Sequence, residues 1–221
     1  MNERFPLVIA NHKANKTWAE VESWLEEIGP KANNFIGVIV FCPSDPFLAS
    51  SAMLIKTGNW NLSLGSQNIS QFEKGNFTGE VAASQIADLV RYSIIGHSER
   101  REYLRESDDS LAQKVQNALS AQIEPIFCIQ GPNTNIPDGV KIVAYEPKSA
   151  IGTGNADTPQ NVKKVASQIK ERGNYTILYG GSVSAENAAS FIQKGLVDGV
   201  LVGATNSLNP QSFSAILKAL V

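Results

Sequence analysis

The chain has little of what marks a secreted, membrane-bound or nucleic-acid-binding protein. Its only cysteines, Cys42 and Cys128, sit inside apolar runs (IVFCP and PIFCI), which reads as two reduced core thiols rather than a disulfide framework. Its only histidines, His12 and His97, stand at no ligand spacing from either cysteine, so no metal site is expected. Nineteen basic side chains against 21 acidic ones leave a net charge of −2, which argues against a nucleic-acid or anionic-membrane surface. No apolar run approaches the ~20 residues that a bilayer span needs. The opening MNERFPLVIANHK lacks the apolar stretch of a signal peptide. These absences point to a cytoplasmic protein with neither membrane nor nucleic acid as partner.

What the chain does have is enough apolar material to bury a core: 43% hydrophobic residues over 221 positions. Short β-rich runs fall at 7–10, 37–41, 62–66, 92–95, 125–128, 141–145, 176–179 and 199–202. They are mostly continuous rather than alternating, as strands covered on both faces are. Amphipathic helical patterns lie between them at 17–28, 46–55, 82–89, 107–121, 158–172, 184–194 and 210–220. Regular alternation of strand and helix predicts parallel strands joined by right-handed crossovers. Eight such strands point to a compact (β/α)8 barrel forming one domain over residues 1–221, with a doubly wound open sheet as the competing architecture. The chain is shorter than the ~250 residues typical of such barrels. The shortfall lies at IQGPNTNIPDGV (129–140), whose two prolines and two glycines leave no room for a helix, so the crossover between the fifth and sixth strands is expected to be a loop.

In a parallel barrel, chemistry gathers at the carboxyl ends of the strands. Here the first strand is followed by Asn11, His12 and Lys13, and the fourth by His97, Ser98 and Glu99. The sixth ends in Glu146, the seventh in Gly180-Gly181-Ser182-Val183 and the eighth in Gly203-Ala204-Thr205. Singly, each has an ordinary explanation: a solvated loop lysine, a structural histidine, a glycine turn, an acid that terminates a strand before a proline. Together they would put a base, an imidazole, a cation and a glycine-rich anion cradle on one rim.

The segments Asn11-His12-Lys13, Gly96-His97-Ser98-Glu99-Arg100-Arg101, Ala144-Tyr145-Glu146-Pro147, Ala150-Ile151-Gly152-Thr153-Gly154 and Tyr179-Gly180-Gly181-Ser182-Val183 closely resemble those of the triosephosphate isomerase family, in family order. The resemblance implies interconversion of dihydroxyacetone phosphate and glyceraldehyde 3-phosphate, with no cofactor and no metal. By the same resemblance Glu146 is the base, His97 a neutral electrophile, and Lys13 with Asn11 the oxyanion stabilisers, with Glu99 a supporting carboxylate. Gly152, Ser182, Gly203 and Ala204 would hold the substrate phosphate. Pro147, Lys148, Ser149, Ala150, Ile151, Gly152, Thr153 and Gly154 would form a lid. The loop Gly75-Asn76-Phe77-Thr78-Gly79-Glu80 looks like the family's interface loop, which implies a homodimer or higher homo-oligomer with Thr78 near the neighbour's site.

The physical logic stands beside the name. Removing a proton next to a carbonyl requires a positioned base and stabilisation of the enediolate charge. Desolvation at a dry strand end makes a carboxylate a stronger base. A lid that closes excludes water from a reactive intermediate. Where the family usually shows tryptophan after the asparagine, this chain has His12, a position expected to pack rather than react. Its lid begins Pro147-Lys148-Ser149 instead of proline-valine-tryptophan, and its eighth loop has Gly203-Ala204 instead of two glycines. Another phosphate-binding barrel enzyme would share the seventh and eighth loops without needing Lys13, His97 and Glu146 together. A catalytically silent barrel acting as a binding protein would be expected to have lost one of them.

Overall fold

Continuous apolar strands need cover on two faces, and the chain supplies it by closing on itself. The computed structural model describes residues 5–150 and 154–221. Eight parallel strands pair in sequence order into a closed barrel: β1 (Leu7–Asn11), β2 (Val38–Cys42), β3 (Leu62–Ser66), β4 (Tyr92–Ile95), β5 (Glu124–Ile129), β6 (Ile142–Tyr145), β7 (Thr176–Tyr179) and β8 (Gly199–Val202). The ring shuts where Leu7 of β1 stands opposite Gly199 of β8. This is the (β/α)8 barrel expected from the sequence.

Alternate strand residues form two separate apolar layers. Leu7 and Ile9, with Ile94, Ile126 and Ala144, fill the barrel interior. Val8 and Ala10 face outward into the layer shared with the helices. The helices, in chain order, are α1 (Trp18–Ala32), α2 (Leu48–Thr57), α3 (Ala83–Ile86), α4 (Ser98–Tyr103), α5 (Asp108–Ser120), α6 (Pro159–Lys170), α7 (Ala188–Phe191), α8 (Ala204–Leu208) and α9 (Pro210–Ala219). Three of the long ones, α5, α6 and α9, begin at side-chain caps. Thr158 Oγ1 accepts from Asn161 N–H ahead of Pro159, and Asn209 Oδ1 accepts from Ser212 N–H ahead of Pro210.

Two helices are shorter than their patterns suggest, and two arise without a pattern. The expected helix at 184–194 reduces to α7, because Ile192 turns extended and Gln193 bridges Val197 instead of continuing the turn. The one at 82–89 reduces to α3. The helices α4 and α8 carry no apolar period of their own and sit at the rim.

Between β5 and β6 the described chain contains no helix, as the prolines and glycines predict. Loop side chains cover the strands instead: Val140 is buried and Ile136 packs against the outer layer. Arg172, just beyond α6, donates to the carbonyls of Pro132 and Thr134, which fastens the connection to the next helix.

Candidate active site

Strand parity delivers the key carboxylate. In β6, Ile142 and Ala144 point into the barrel, so Glu146, two residues on, points into its mouth. Its side chain is 1% exposed. One oxygen, Oε2, accepts from the backbone N–H of Ser98 at 3.2 Å. The other, Oε1, has no hydrogen-bond donor among the described residues, although His97 Nε2 stands 3.2 Å away. At Gly180 there is no side chain to crowd the acid: a Cβ there would lie 3.0 Å from Glu146 Cγ. Below Glu146, burial and then the charge of that carboxylate push the Cys128 thiol far above its ordinary range, so it stays protonated and inert.

His97 reaches the same place because Gly96 breaks the alternation of β4. Gly96 has φ +74, a conformation open to glycine, and it redirects the chain into α4. His97 caps that helix, its Nδ1 accepting from Glu99 N–H at 3.3 Å. A backbone N–H can only donate, so Nδ1 is the acceptor and the proton of the neutral tautomer belongs on Nε2, which lies 3.2 Å from Glu146 Oε1 without being aligned to donate to it. A Glu99 carboxylate oxygen lies at 3.5 Å from Nδ1, the longer contact of the two. Arg101 ties the ends of β4 and β5 together by donating from Nε to Gly96 O at 2.9 Å and from Nη2 to Cys128 O at 3.3 Å.

Lys13 holds an unusual backbone, φ 51, for a residue with a side chain. Its surroundings impose it. Asn11 Oδ1 accepts the Lys13 N–H at 3.0 Å, while the Lys13 carbonyl accepts from Ser44 Oγ and Gln67 Nε2, each at 2.9 Å. The ammonium then ion-pairs with Glu99. Sequence reading missed Gln67 and Ser44. Their only signal is a polar residue within two positions of a strand's end, which is too common to single out.

The anion-binding candidates surround this group. Gly203 precedes α8, which Ala204 opens, and a Cβ at Gly203 would stand 3.4 Å from Lys13 Cε. Ser182 has φ 50, and its hydroxyl donates to Ala150 O at 2.6 Å. The lid candidates Pro147, Lys148, Ser149 and Ala150 leave β6 through a single 3-10 turn, Lys148–Ala150, and Gly154 has φ 77. On its far side, Tyr179 Oη accepts from Asp157 N–H at 2.8 Å; burial pushes that hydroxyl up to about 12, so it remains neutral. The candidates Ile151, Gly152 and Thr153 lie outside the described residues.

Thr78 is exposed in a loop pinched at its base by Ser70 N–H to Val81 O at 2.8 Å. Phe72 and Phe77 stack within that loop at 4.2 Å and remain 39% and 42% exposed. Among the described residues no group of three or more histidine, cysteine or acidic side chains is placed to hold a metal ion. No helix among them is long and apolar enough to cross a membrane.

A closed parallel barrel with an acid, an imidazole and an ammonium meeting at its carboxyl rim is the framework of a barrel enzyme. Comparison with known proteins gives the particular kind. The family model for triosephosphate isomerase matches residues 6–220. The triosephosphate isomerase of Mesomycoplasma hyorhinis is 36% identical over 241 aligned positions, covering 96% of this chain and 97% of the relative. Those of Symbiobacterium thermophilum and Carboxydothermus hydrogenoformans are 36% and 33% identical, covering 98% and 99% of this chain and 97% and 100% of the relatives. The chain belongs to the triosephosphate isomerase family. An alignment of 241 positions exceeds the 221 residues present, so the first of these relatives carries segments with no counterpart here.

Proposed function

We propose that this chain interconverts dihydroxyacetone phosphate and D-glyceraldehyde 3-phosphate through an enediolate, using its barrel, residues 1–221, as one domain. The observation that carries the reading is Glu146: a carboxylate 1% exposed, with one oxygen held by Ser98 N–H and the other free of donors and 3.2 Å from an imidazole nitrogen. In this mechanism the free oxygen takes a proton from the carbon beside the carbonyl. The C–H electron pair becomes the C=C bond, and the carbonyl π electrons move to oxygen. His97 Nε2–H donates to that oxygen, with Lys13 and Asn11 stabilising its charge and Glu99 holding the ammonium in place. Glu146 then returns its proton to the former carbonyl carbon through the C=C electron pair. His97 meanwhile gives its Nε2 proton to the oxygen on that carbon and takes the hydroxyl proton from the other oxygen, whose bond to carbon becomes the new carbonyl. No electron leaves the substrate, so the chemistry requires no redox cofactor.

The phosphate would bind the backbone N–H groups of Ser182, Gly203 and Ala204, with Gly152 of the lid joining them, and the amino end of α8 favours an anion there. The link from Ser182 to Ala150 supports a lid whose first turn is latched to the phosphate loop. The free, buried thiols Cys42 and Cys128 fit a reducing cytoplasm. The direct test is a coupled assay with glyceraldehyde 3-phosphate: turnover is expected, and its absence in folded protein overturns the reading.

Lys13→Ala should lower kcat by about 10²-fold, the scale of losing one oxyanion donor. Because the ammonium also offsets the substrate's negative charge, KM should rise in the same variant. A fall in kcat below threefold would remove Lys13 from this role.

The exposed loop around Thr78 supports a dimer. Two stacked, half-exposed phenylalanines on a pinched excursion suit insertion into a neighbour better than solvation. We expect a twofold dimer with an isologous interface, hence a solution mass twice the chain's 23.8 kDa. Light scattering that gives a fully active monomer at micromolar concentration would refute this.

A further inference from the structure

His12 lies in the sequence between two candidate catalytic residues, yet its side chain faces away from them. Parity places it with Val8 and Ala10 in the outer layer, where it is 1% exposed against Trp24 of α1 and Phe41 of β2, ring centroids at 4.7 and 4.8 Å. It does more than pack there. Its Nε2–H donates to the carbonyl of Ser207 in α8 at 3.0 Å. Ser207 returns the contact, its Oγ donating to the carbonyl of Asn11 at 2.7 Å. Two reciprocal hydrogen bonds thus join the end of β1 to a helix of only five residues. The far side of α8 is tied as well, by Asn206 Nδ2 to Val183 O at 2.7 Å. At its start, Gly203 abuts the Lys13 side chain.

We infer that His12 is a positioning residue whose bond to Ser207 holds α8, and with it the phosphate-binding end at Gly203 and Ala204, in fixed register with Asn11 and Lys13. This rests on the phosphate-site reading above. The helix is too short to hold its own place: an isolated helix of this length is unstable in water, so its orientation is set by what fastens it. Of the fastenings, the pair between His12, Ser207 and Asn11 is buried and ties α8 to the end of the strand that carries Asn11 and leads into Lys13.

The chemistry of two substitutions separates positioning from packing. His12→Phe keeps an aromatic ring between Trp24 and Phe41 but removes the hydrogen bond that His12 gives the Ser207 carbonyl. His12→Gln loses the ring but places an amide N–H near the position of Nε2. If His12 positions α8, His12→Phe raises KM about tenfold, the scale of one lost neutral hydrogen bond, with kcat changed less than about threefold. His12→Gln then recovers most of the KM while having the lower Tm. If His12 only packs, KM follows Tm and glutamine is the worse of the two. An unchanged KM in His12→Phe, or a KM in His12→Gln as poor as in His12→Phe, overturns the inference.

Should either protein fail to fold, Ser207→Ala tests the returning bond and is expected to raise KM with kcat nearly kept; no change in KM counts against the clamp. Inorganic phosphate binding, measured by titration calorimetry, should weaken in step with KM. That readout needs no turnover. A wild type that binds phosphate but does not isomerise would defeat the proposed reaction while the clamp is still judged on phosphate affinity.

Discussion

Glu146→Gln is expected to lower kcat by ~10²–10⁴-fold, the range that general-base catalysis supplies. The amide has nearly the shape of the carboxylate, and its oxygen can still accept from Ser98 N–H, so the buried site is preserved. What disappears is the basic lone pair on the oxygen that no described donor holds. In the proposed site the phosphate is held by other loops, so KM should change less than about threefold and the loss should fall on kcat. Steady-state kinetics in both reaction directions decide the matter, with Lys148→Ala in the exposed first turn of the lid as a nearly silent control. Retention of more than about a tenth of the wild-type kcat would show that Glu146 is not the base.

The second large effect concerns acid. Burial first, and then the charge of Lys16, hold His12 down at about 3, only partly opposed by its bond to Ser207. In the unfolded chain the imidazole titrates near its ordinary 6.5. Between those values the unfolded chain binds the extra proton and the folded one does not, so stability must fall as pH falls. The contribution is intact above pH 6.5 and lost progressively toward pH 3. A difference of this size amounts to about 5 kcal/mol in full, of which about 2 kcal/mol is gone by pH 5. Asp45, which burial pushes up against the pull of Arg100, works in the opposite sense, and Glu20, held low by Thr17, in the same sense. Both remain when His12 is replaced. Urea unfolding of wild type and His12→Phe at pH 7.5 and pH 5 should therefore show the wild type losing about 2 kcal/mol more than the variant. Parallel losses would mean that His12 is not what makes the fold acid-sensitive.

The barrel was legible in the sequence because the strands are covered on both faces and so read mostly as continuous apolar runs, with LSLGS of β3 as an exception. The rim helices α4 and α8 were not, because their residues answer to loop contacts rather than to a core face. The same division runs through the site. Glu146, His97, Lys13 and Asn11 announced themselves as polar residues at apolar strand ends. The left-handed backbone of Lys13 did not, since Ser44 and Gln67, which hold its carbonyl, come from two other loops. His12 was legible as a packing residue and is one, but its bond to Ser207 spans 195 positions and no local pattern encodes it. Gly180 looked like part of a turn, whereas the space it leaves is what lets Glu146 sit where it does.

The missing helix between β5 and β6 has a consequence in chain entropy. Ile126 pairs with Ile142, 16 positions away, whereas the next pair in the ring joins Ile142 to Thr176, 34 positions away. Loop-closure entropy grows with the logarithm of length, so bringing β5 beside β6 costs about 0.7 kcal/mol less than bringing β6 beside β7. The residues of an absent helix also need no ordering, which elsewhere costs about 1–2 kcal/mol of backbone freedom for each one fixed. At this seam the barrel buries less, and it needs less burial to close.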